Sequence, residues 1–276
     1  MGLQPTIKLN DTRVIPQLGF GVWQVPSDIT ATVVSEAIAA GYRSIDTAAV
    51  YENEAGVGAA IQKNSVPRDQ LFITTKLWNS RHGYDDALRS FDKSLSRLGL
   101  DYIDLFLIHW PAPQRDLYAG AWRALVELQR QGRAKSIGVS NFNIPHLQRI
   151  IDTSGVVPAL NQVELHPRFQ QRALRQFHAQ HGIATEAWSP LGQGQLLEDA
   201  TVRAIAKKHA RTPAQIILRW HLDSGLIAIP KSVTPVRIRE NFAVFDFQLN
   251  ADDMRELAAL DRSDGRIGPD PETADF

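Results

Sequence analysis

Asp46, Tyr51, Lys76 and His109 are residue types that together can move a proton onto a carbonyl oxygen, and three of them close apolar, strand-like runs. Ile45-Asp46 ends one run, with Tyr51 five residues on in the segment Thr47-Ala48-Ala49-Val50-Tyr51. Phe72-Ile73-Thr74-Thr75-Lys76 is the next, and Ile103-Asp104-Leu105-Phe106-Leu107-Ile108-His109 the third. A phenol with an ordinary pKa of ~10 is a poor acid near neutrality. A nearby ammonium lowers that pKa, a buried carboxylate holds the ammonium charged and in place, and an imidazole orients the substrate oxygen. No metal-binding pattern or redox-active side chain supplies an electron pair, and a nicotinamide hydride donor fits that gap. Taken singly, Asp46 reads as a helix cap, Lys76 as a solvated strand-end charge, His109 as a partner for a backbone carbonyl and Tyr51 as a loop anchor. The spacing favours the joint reading.

The steps from Asp46 to Lys76 and from Lys76 to His109 are 30 and 33 residues, each about one strand–helix unit. Apolar runs end near Gly21, Asp46, Lys76, His109, Ser140, Glu164, Trp188 and Pro230, at intervals of 25, 30, 33, 31, 24, 24 and 42 residues. Eight such runs predict a (β/α)8 TIM barrel, whose strands present their carboxyl ends on one rim, where barrel enzymes keep their active sites. Ile7-Lys8-Leu9 and Val14-Ile15 flank Asn10-Asp11-Thr12-Arg13, which predicts an N-terminal β-hairpin before the alternation starts. Tyr84, Leu88, Phe91, Leu95 and Leu98 are spaced for one helical face, as are Tyr118, Trp122, Leu125 and Val126. The last long interval has room for two helices, one around Val202 to His209. The other is opened by Thr212-Pro213-Ala214-Gln215, a capping box with proline at the first helical position. With no linker or low-complexity tract, residues 1–276 read as one domain.

A doubly wound sheet is the structural competitor, but no strand is followed by Gly-x-Gly-x-x-Gly. The nearest match, Gly56-Val57-Gly58-Ala59-Ala60, lies within a helical pattern and reads as a helix-packing feature. Lys plus Arg and Asp plus Glu are both 30, so nothing points to nucleic acid or a membrane surface as partner. The absence of cysteine excludes disulfides, thiolate catalysis and cysteine-ligated zinc. Met1-Gly2-Leu3-Gln4-Pro5 shows no signal-peptide pattern, and the expectation is a cytoplasmic monomer acting on a small carbonyl compound, with no bound metal.

Gly41-Tyr42-Arg43-Ser44-Ile45-Asp46-Thr47-Ala48-Ala49-Val50-Tyr51-Glu52-Asn53-Glu54 resembles the signature of the aldo-keto reductases. Thr75-Lys76-Leu77-Trp78, Leu107-Ile108-His109-Trp110-Pro111 and Ile137-Gly138-Val139-Ser140-Asn141-Phe142 resemble three further motifs of that family. Ile229-Pro230-Lys231-Ser232-Val233, followed by Arg237, Glu240 and Asn241, resembles its cofactor-phosphate segment. Within the family, Pro16-Gln17-Leu18-Gly19, Trp188-Ser189-Pro190-Leu191-Gly192-Gln193-Gly194 and Val244-Phe245-Asp246-Phe247 are similar to the bacterial 2,5-diketo-D-gluconic acid reductase branch.

The resemblance implies NADPH as cofactor, Tyr51 as general acid, Lys76 and Asp46 as its tuning pair, and His109 orienting the carbonyl. It implies that Ser140, Asn141 and Gln162 meet the nicotinamide carboxamide and that Trp188 stacks on the ring. The loop from Ser189 through Leu191 to Gly194 would lie over the pyrophosphate. Lys231, Ser232, Val233 and Arg237 would hold the adenosine 2′-phosphate, with Glu240 and Asn241 at the adenine. Two cations and a hydroxyl close together independently suit a phosphate. Trp23, Trp78 and Trp110 each follow a strand-like run and would make an apolar cup for the substrate, with His109 at its base. The tail Arg262-Ser263-Asp264-Gly265-Arg266-Ile267-Gly268-Pro269 is short and polar, which predicts a relatively open pocket with little to grip a steroid-sized ligand; small aldehydes and α-dicarbonyls are the expected substrates, and the branch resemblance adds keto-sugar acids. Two other readings compete: a cofactor-sensing binding subunit without significant turnover, and a lyase with a Schiff base on Lys76.

Overall fold

A computed structural model describes residues 4–274 and 276. The chain opens with an antiparallel hairpin, β1 (Thr6–Lys8) and β2 (Val14–Pro16), in the register Ile7 opposite Ile15. Eight parallel strands follow in sequential order: β3 (Phe20–Gly21), β4 (Ser44–Asp46), β5 (Phe72–Leu77), β6 (Ile103–Ile108), β7 (Ala134–Ser140), β8 (Leu160–Glu164), β9 (Ala184–Trp188) and β10 (Ile227–Ala228). A parallel bridge between Leu18 and Ala228 brings the first and last strands together. The Gly19 and Gly21 amides, which donate to the carbonyls of Ala228 and Pro230, extend that seam. The sheet is thus the closed (β/α)8 barrel.

The helices are α1 (Ser27–Ala40), α2 (Glu54–Lys63), α3 (Tyr84–Leu98), α4 (Tyr118–Arg130), α5 (Ile144–Ser154), α6 (Arg172–His181), α7 (Ala200–His209), α8 (Pro213–Asp223), α9 (Pro235–Phe242) and α10 (Ala251–Ala258). Both helices foreseen in the long interval are present, and the Thr212–Gln215 capping box opens α8. Tyr84 departs from the expected apolar face of α3. It lies in the first turn and is exposed, because the buried stripe is Ala87, Phe91, Ser94 and Leu98. The glycines of α2 are a packing feature as expected: a side chain on Gly58 would run into the Leu98 carbonyl at the end of α3. Among the described residues no helix is long and apolar enough to cross a membrane.

Strand alternation sorts the side chains between the barrel interior and the helix layer. On β6, Phe106 and Ile108 join the core under the helices, while Leu105 and Leu107 face inward with Phe72 of β5, Leu160 of β8 and Ile227 of β10. Leu9 and Ile15 of the hairpin pack onto this inner cluster and close the amino-terminal end of the barrel. The inward rows then continue toward the carboxyl ends, where they turn polar.

Candidate active site

Two residues beyond the apolar inner cluster, the inward row of β5 reaches Thr74 and Lys76, that of β6 passes Leu107 to His109, and that of β8 passes Leu160 to Gln162. Lys76 is fully buried. Its ammonium has three hydrogens and donates to three acceptors: Asp46 Oδ1 at 2.5 Å, the Thr47 carbonyl at 2.9 Å and Tyr51 Oη at 3.5 Å. Tyr51 Oη lies 3.4 Å from His109 Nε2. The four residues predicted to converge therefore do so.

Local structure explains how the short link from β4 to α2 places the phenol. Residues Ala49–Tyr51 form a 3-10 turn, and Glu52 takes left-handed backbone angles (φ 56°). Asn53, buried at the start of α2, donates to the carbonyls of Val22 and Val25 and accepts from Thr47 Oγ1. Glu54 is buried too, and accepts from Thr75 Oγ1 at 2.6 Å and Arg97 Nε at 2.6 Å. These residues tie the Tyr51 loop to the ends of β3 and β5, so the signature segment is largely a positioning device.

Burial raises the Tyr51 phenol above its usual range; the Lys76 charge pulls the other way without overcoming it, and Asp46 adds to the rise. The expected lowering by the ammonium is thus present only as an opposing contribution, because burial is the larger effect. For Lys76, burial alone would lower the pKa, but Asp46, Tyr51 and Glu186 reverse the direction and keep the amine protonated. His109 is pushed well below its usual value by burial and by the Lys76 charge, which makes it a neutral imidazole.

Glu186 is a buried acid that sequence reading did not single out. It lies on the inward row of β9, and Gln162 Nε2 donates to both Asp46 Oδ2 and Glu186 Oε2 at 2.8 Å. Its pKa is pushed up to about 8 by burial and then by the Asp46 charge, with Gln162 and Lys76 opposing. One ammonium thus faces two acids, and the second keeps its proton at neutral pH. With its amide nitrogen spent on these two groups, Gln162 has its oxygen to offer a ligand as an acceptor.

Ser140 and Gln162 are register partners on β7 and β8, and Ser140 Oγ donates to the Gln162 carbonyl at 2.8 Å. Asn141 (φ 62°) donates to the His109 carbonyl at 3.0 Å and accepts from Trp188 Nε1 at 2.8 Å. The residues foreseen around a carboxamide are therefore adjacent and directly linked to the catalytic candidates. Ser189, Gly192, Gln193 and Gly194 all have positive φ, and the loop is closed by its own hydrogen bonds, the Gly192 and Gly194 amides donating to the carbonyls of Ser189 and Leu191. Leu191 is half-buried within that loop.

Lys231, Val233 and Arg237 are exposed, Ser232 and Asn241 are buried, and Glu240 is half-buried at the start of or within α9. Neither Lys231 nor Arg237 has an ion-pair partner among the described residues. No group of three or more His, Asp or Glu among the described residues could hold a metal ion.

The aromatic cup differs from expectation. Trp78 stands edge-on to His109 at 5.2 Å, and Trp110 meets Trp188 at 6.4 Å. Trp23 is 45% exposed and enters none of these ring contacts; its loop turns at Gln24, which takes left-handed backbone angles (φ 58°). Phe276 takes the place expected of it: its ring stacks on Trp78 at 5.7 Å and meets Trp110 edge-on at 5.2 Å. The tail therefore does not leave the cup open. Glu164 anchors it by accepting from the Ile267 amide at 2.6 Å and the Gly268 amide at 2.8 Å. Gly268 has no room for a side chain there, since a Cβ would fall 2.5 Å from the Trp188 indole.

The aldo/keto reductase family profile matches residues 17–262. The chain is 56% identical over 275 residues to methylglyoxal reductase DkgA of Yersinia pestis, covering 99% of this chain and 98% of that protein. It is 55% identical to methylglyoxal reductase DkgA of Escherichia coli strain K12, over 96% of both. Among solved structures, the apo form of Gox0644 matches with TM-score 0.97 at 54% identity, and a Gox0644 mutant in complex with NADPH with TM-score 0.97 at 53% identity, each over all of both chains. This chain belongs to the aldo/keto reductase family.

Proposed function

We propose that this protein reduces small aldehydes and α-dicarbonyl compounds, keto-sugar acids among them, to alcohols at the expense of NADPH. The observation that carries the reading is the ammonium of Lys76, held by Asp46 and Thr47 so that its third donor meets Tyr51 Oη. A bound NADPH supplies the hydride. Tyr51 gives its proton to the carbonyl oxygen as that oxygen becomes an alkoxide, and Lys76 stabilises the phenolate left behind. His109, neutral and 3.4 Å from the phenol, donates from Nε2 to the same substrate oxygen and fixes its direction. Its other ring nitrogen, Nδ1, is buried without a partner among the described residues.

The chain's own residues fit the cofactor. Lys231, Ser232 and Arg237 would hold a 2′-phosphate, the loop at 189–194 would lie over the pyrophosphate, and Ser140, Asn141, Gln162 and Trp188, which are linked by hydrogen bonds or neighbouring strands, would surround the nicotinamide. The DkgA relatives and the NADPH complex of Gox0644 support this reading. The Schiff-base reading is disfavoured, because an amine nucleophile must lose a proton that Asp46, with Tyr51 and Glu186, holds on Lys76 against the effect of burial. The test is NADPH consumption with a glyoxal, a simple aliphatic ketone and a ketosteroid. The glyoxal should be preferred, since its second carbonyl withdraws electrons; a steroid preference would overturn the reading of the pocket.

A further inference from the structure

Three buried residues stand side by side across neighbouring strands. Ser140 on β7 is the register partner of Gln162 on β8, and Gln162 is that of Glu186 on β9. Trp188 lies two residues beyond Glu186 on the same strand, hence on the same face. A side-chain amide carries two N–H donors on its nitrogen and one acceptor oxygen. Both donors of Gln162 are taken, one by Asp46 Oδ2 and one by Glu186 Oε2, each at 2.8 Å. Its oxygen, Oε1, meets no donor among the described residues.

The two acids divide the work. Asp46 is paired with the Lys76 ammonium, and a carboxylate can only accept, so Asp46 settles which end of the amide is nitrogen. Alone, it would leave the second N–H of Gln162 unclaimed. Glu186 takes that hydrogen, and has no other hydrogen-bond or ion-pair partner among the described residues. Two ionised carboxylates on one amide would repel each other. Burial, and then the Asp46 charge, keep a proton on Glu186, so the pair carries one negative charge against one ammonium.

We propose that Glu186 is a positioning residue: by occupying the second N–H of Gln162 it makes that side chain acceptor-only, so the site selects a nicotinamide-ring substituent that donates an N–H. This rests on the reading that places the nicotinamide against Gln162, and adds the residue that decides what Gln162 recognises there. A carboxamide has the required hydrogens. A methyl ketone in its place has none, and would leave the Gln162 oxygen bare in a buried site. No covalent step is involved.

Equilibrium binding, with no substrate and no turnover, tests this. Tryptophan fluorescence of the full chain is titrated with NADP+ and with its acetylpyridine analogue, which carries a methyl where the carboxamide carries its amino group. The parent should bind NADP+ about tenfold or more tighter, because a buried acceptor left without a donor loses more than a hydrogen bond contributes. Glu186→Leu and Glu186→Ala, one filling the space and one leaving it, should bring the ratio of the two dissociation constants near one, since the freed N–H can meet the acetyl carbonyl. Glu186→Gln keeps an acceptor oxygen and should retain the parent ratio. Gln162→Ala should level the two ligands. A merely structural role for Glu186 would weaken both ligands together and leave the ratio unchanged.

A parent ratio that survives in Glu186→Leu and Glu186→Ala but is lost in Gln162→Ala would overturn the role of Glu186. Loss of the ratio in Glu186→Gln as well would overturn the acceptor-only account, since that variant still accepts. Equal binding of the two ligands by the parent would overturn the selection itself. A parent ratio kept in Gln162→Ala would instead remove the reading that sets Gln162 against the carboxamide.

Discussion

The two ends of the barrel interior are built from the same inward rows and do opposite work. At the amino-terminal end, Phe72, Leu105, Leu107, Leu160 and Ile227 close on Leu9 and Ile15 of the hairpin, with no charged group in the cluster. Further along those strands stand Lys76, His109, Gln162 and Glu186, all buried, with Asp46 beside them on β4. The change from Leu107 to His109 takes one strand period. Burial that stabilises an apolar end is costly for a polar one, and the cost is offset where the charged groups are paired, as Lys76 is with Asp46. The apolar plug supplies rigidity, and the polar end uses that rigidity to hold an ammonium against a phenol.

The contrast can be broken most severely at Lys76. Lys76→Met leaves Asp46 buried without its cation, a change that typically costs about 3–5 kcal/mol. Urea unfolding should register that loss, and NADPH-dependent turnover should vanish. Full stability in this variant would mean that Asp46 does not depend on Lys76. At the opposite end, Leu107→Ala should cost about 2–5 kcal/mol while the molecules that remain folded keep their kcat. A kcat loss of about a hundredfold in that variant, measured below its unfolding transition, would show that the two ends are not separable.

Away from both ends, Arg237→Ala should weaken NADPH binding by about tenfold or more and leave NADH binding nearly unchanged, since one charge-assisted hydrogen bond is worth roughly 1.5–3 kcal/mol. Fluorescence titration with both cofactors decides this; parallel losses for the two would place Arg237 elsewhere than at the 2′-phosphate.

The last comparison concerns Glu186 and is read in stability alone. Its folded pKa of about 8 lies above the ordinary 4.5, so between these values the folded protein keeps a proton that the unfolded chain releases. Stability from this group is present below the lower value and lost as pH rises toward the upper one. Glu186→Gln does not titrate, and its melting temperature should gain on the parent from about pH 5 to about pH 8, by roughly 2–4 °C per ~1 kcal/mol. A constant difference across that range would mean that Glu186 is ionised in the folded state.

The barrel and the convergence of Asp46, Tyr51, Lys76 and His109 were legible in the sequence because both depend on short-period signals. Strand alternation fixes which residue of Leu107-Ile108-His109 faces inward, and unit spacing fixes which strands meet. Contacts between distant residues left no such signal. Nothing in the local sequence links Phe276 to Trp78, on which it stacks. Glu186 read as one polar residue in a strand until β4 and β8 were brought beside it. The direction of the Tyr51 shift was missed for a related reason: the Lys76 charge could be inferred from spacing, whereas the degree of burial is a property of the finished fold. Trp23 shows the converse: it stands in the expected place on the chain, yet is 45% exposed and joins none of the ring contacts of the cup.

The central claim is that Tyr51 is the proton donor at the polar end. Tyr51→Phe removes the hydroxyl and almost no volume, so the direct measurement is a single turnover of NADPH-saturated enzyme with methylglyoxal, followed by NADPH absorbance in the parent and the variant. The account predicts that Tyr51→Phe binds NADPH as the parent does and oxidises it about 10²–10⁴ times more slowly. A variant that binds NADPH normally and reacts within about tenfold of the parent would contradict it, and would place the proton on another group.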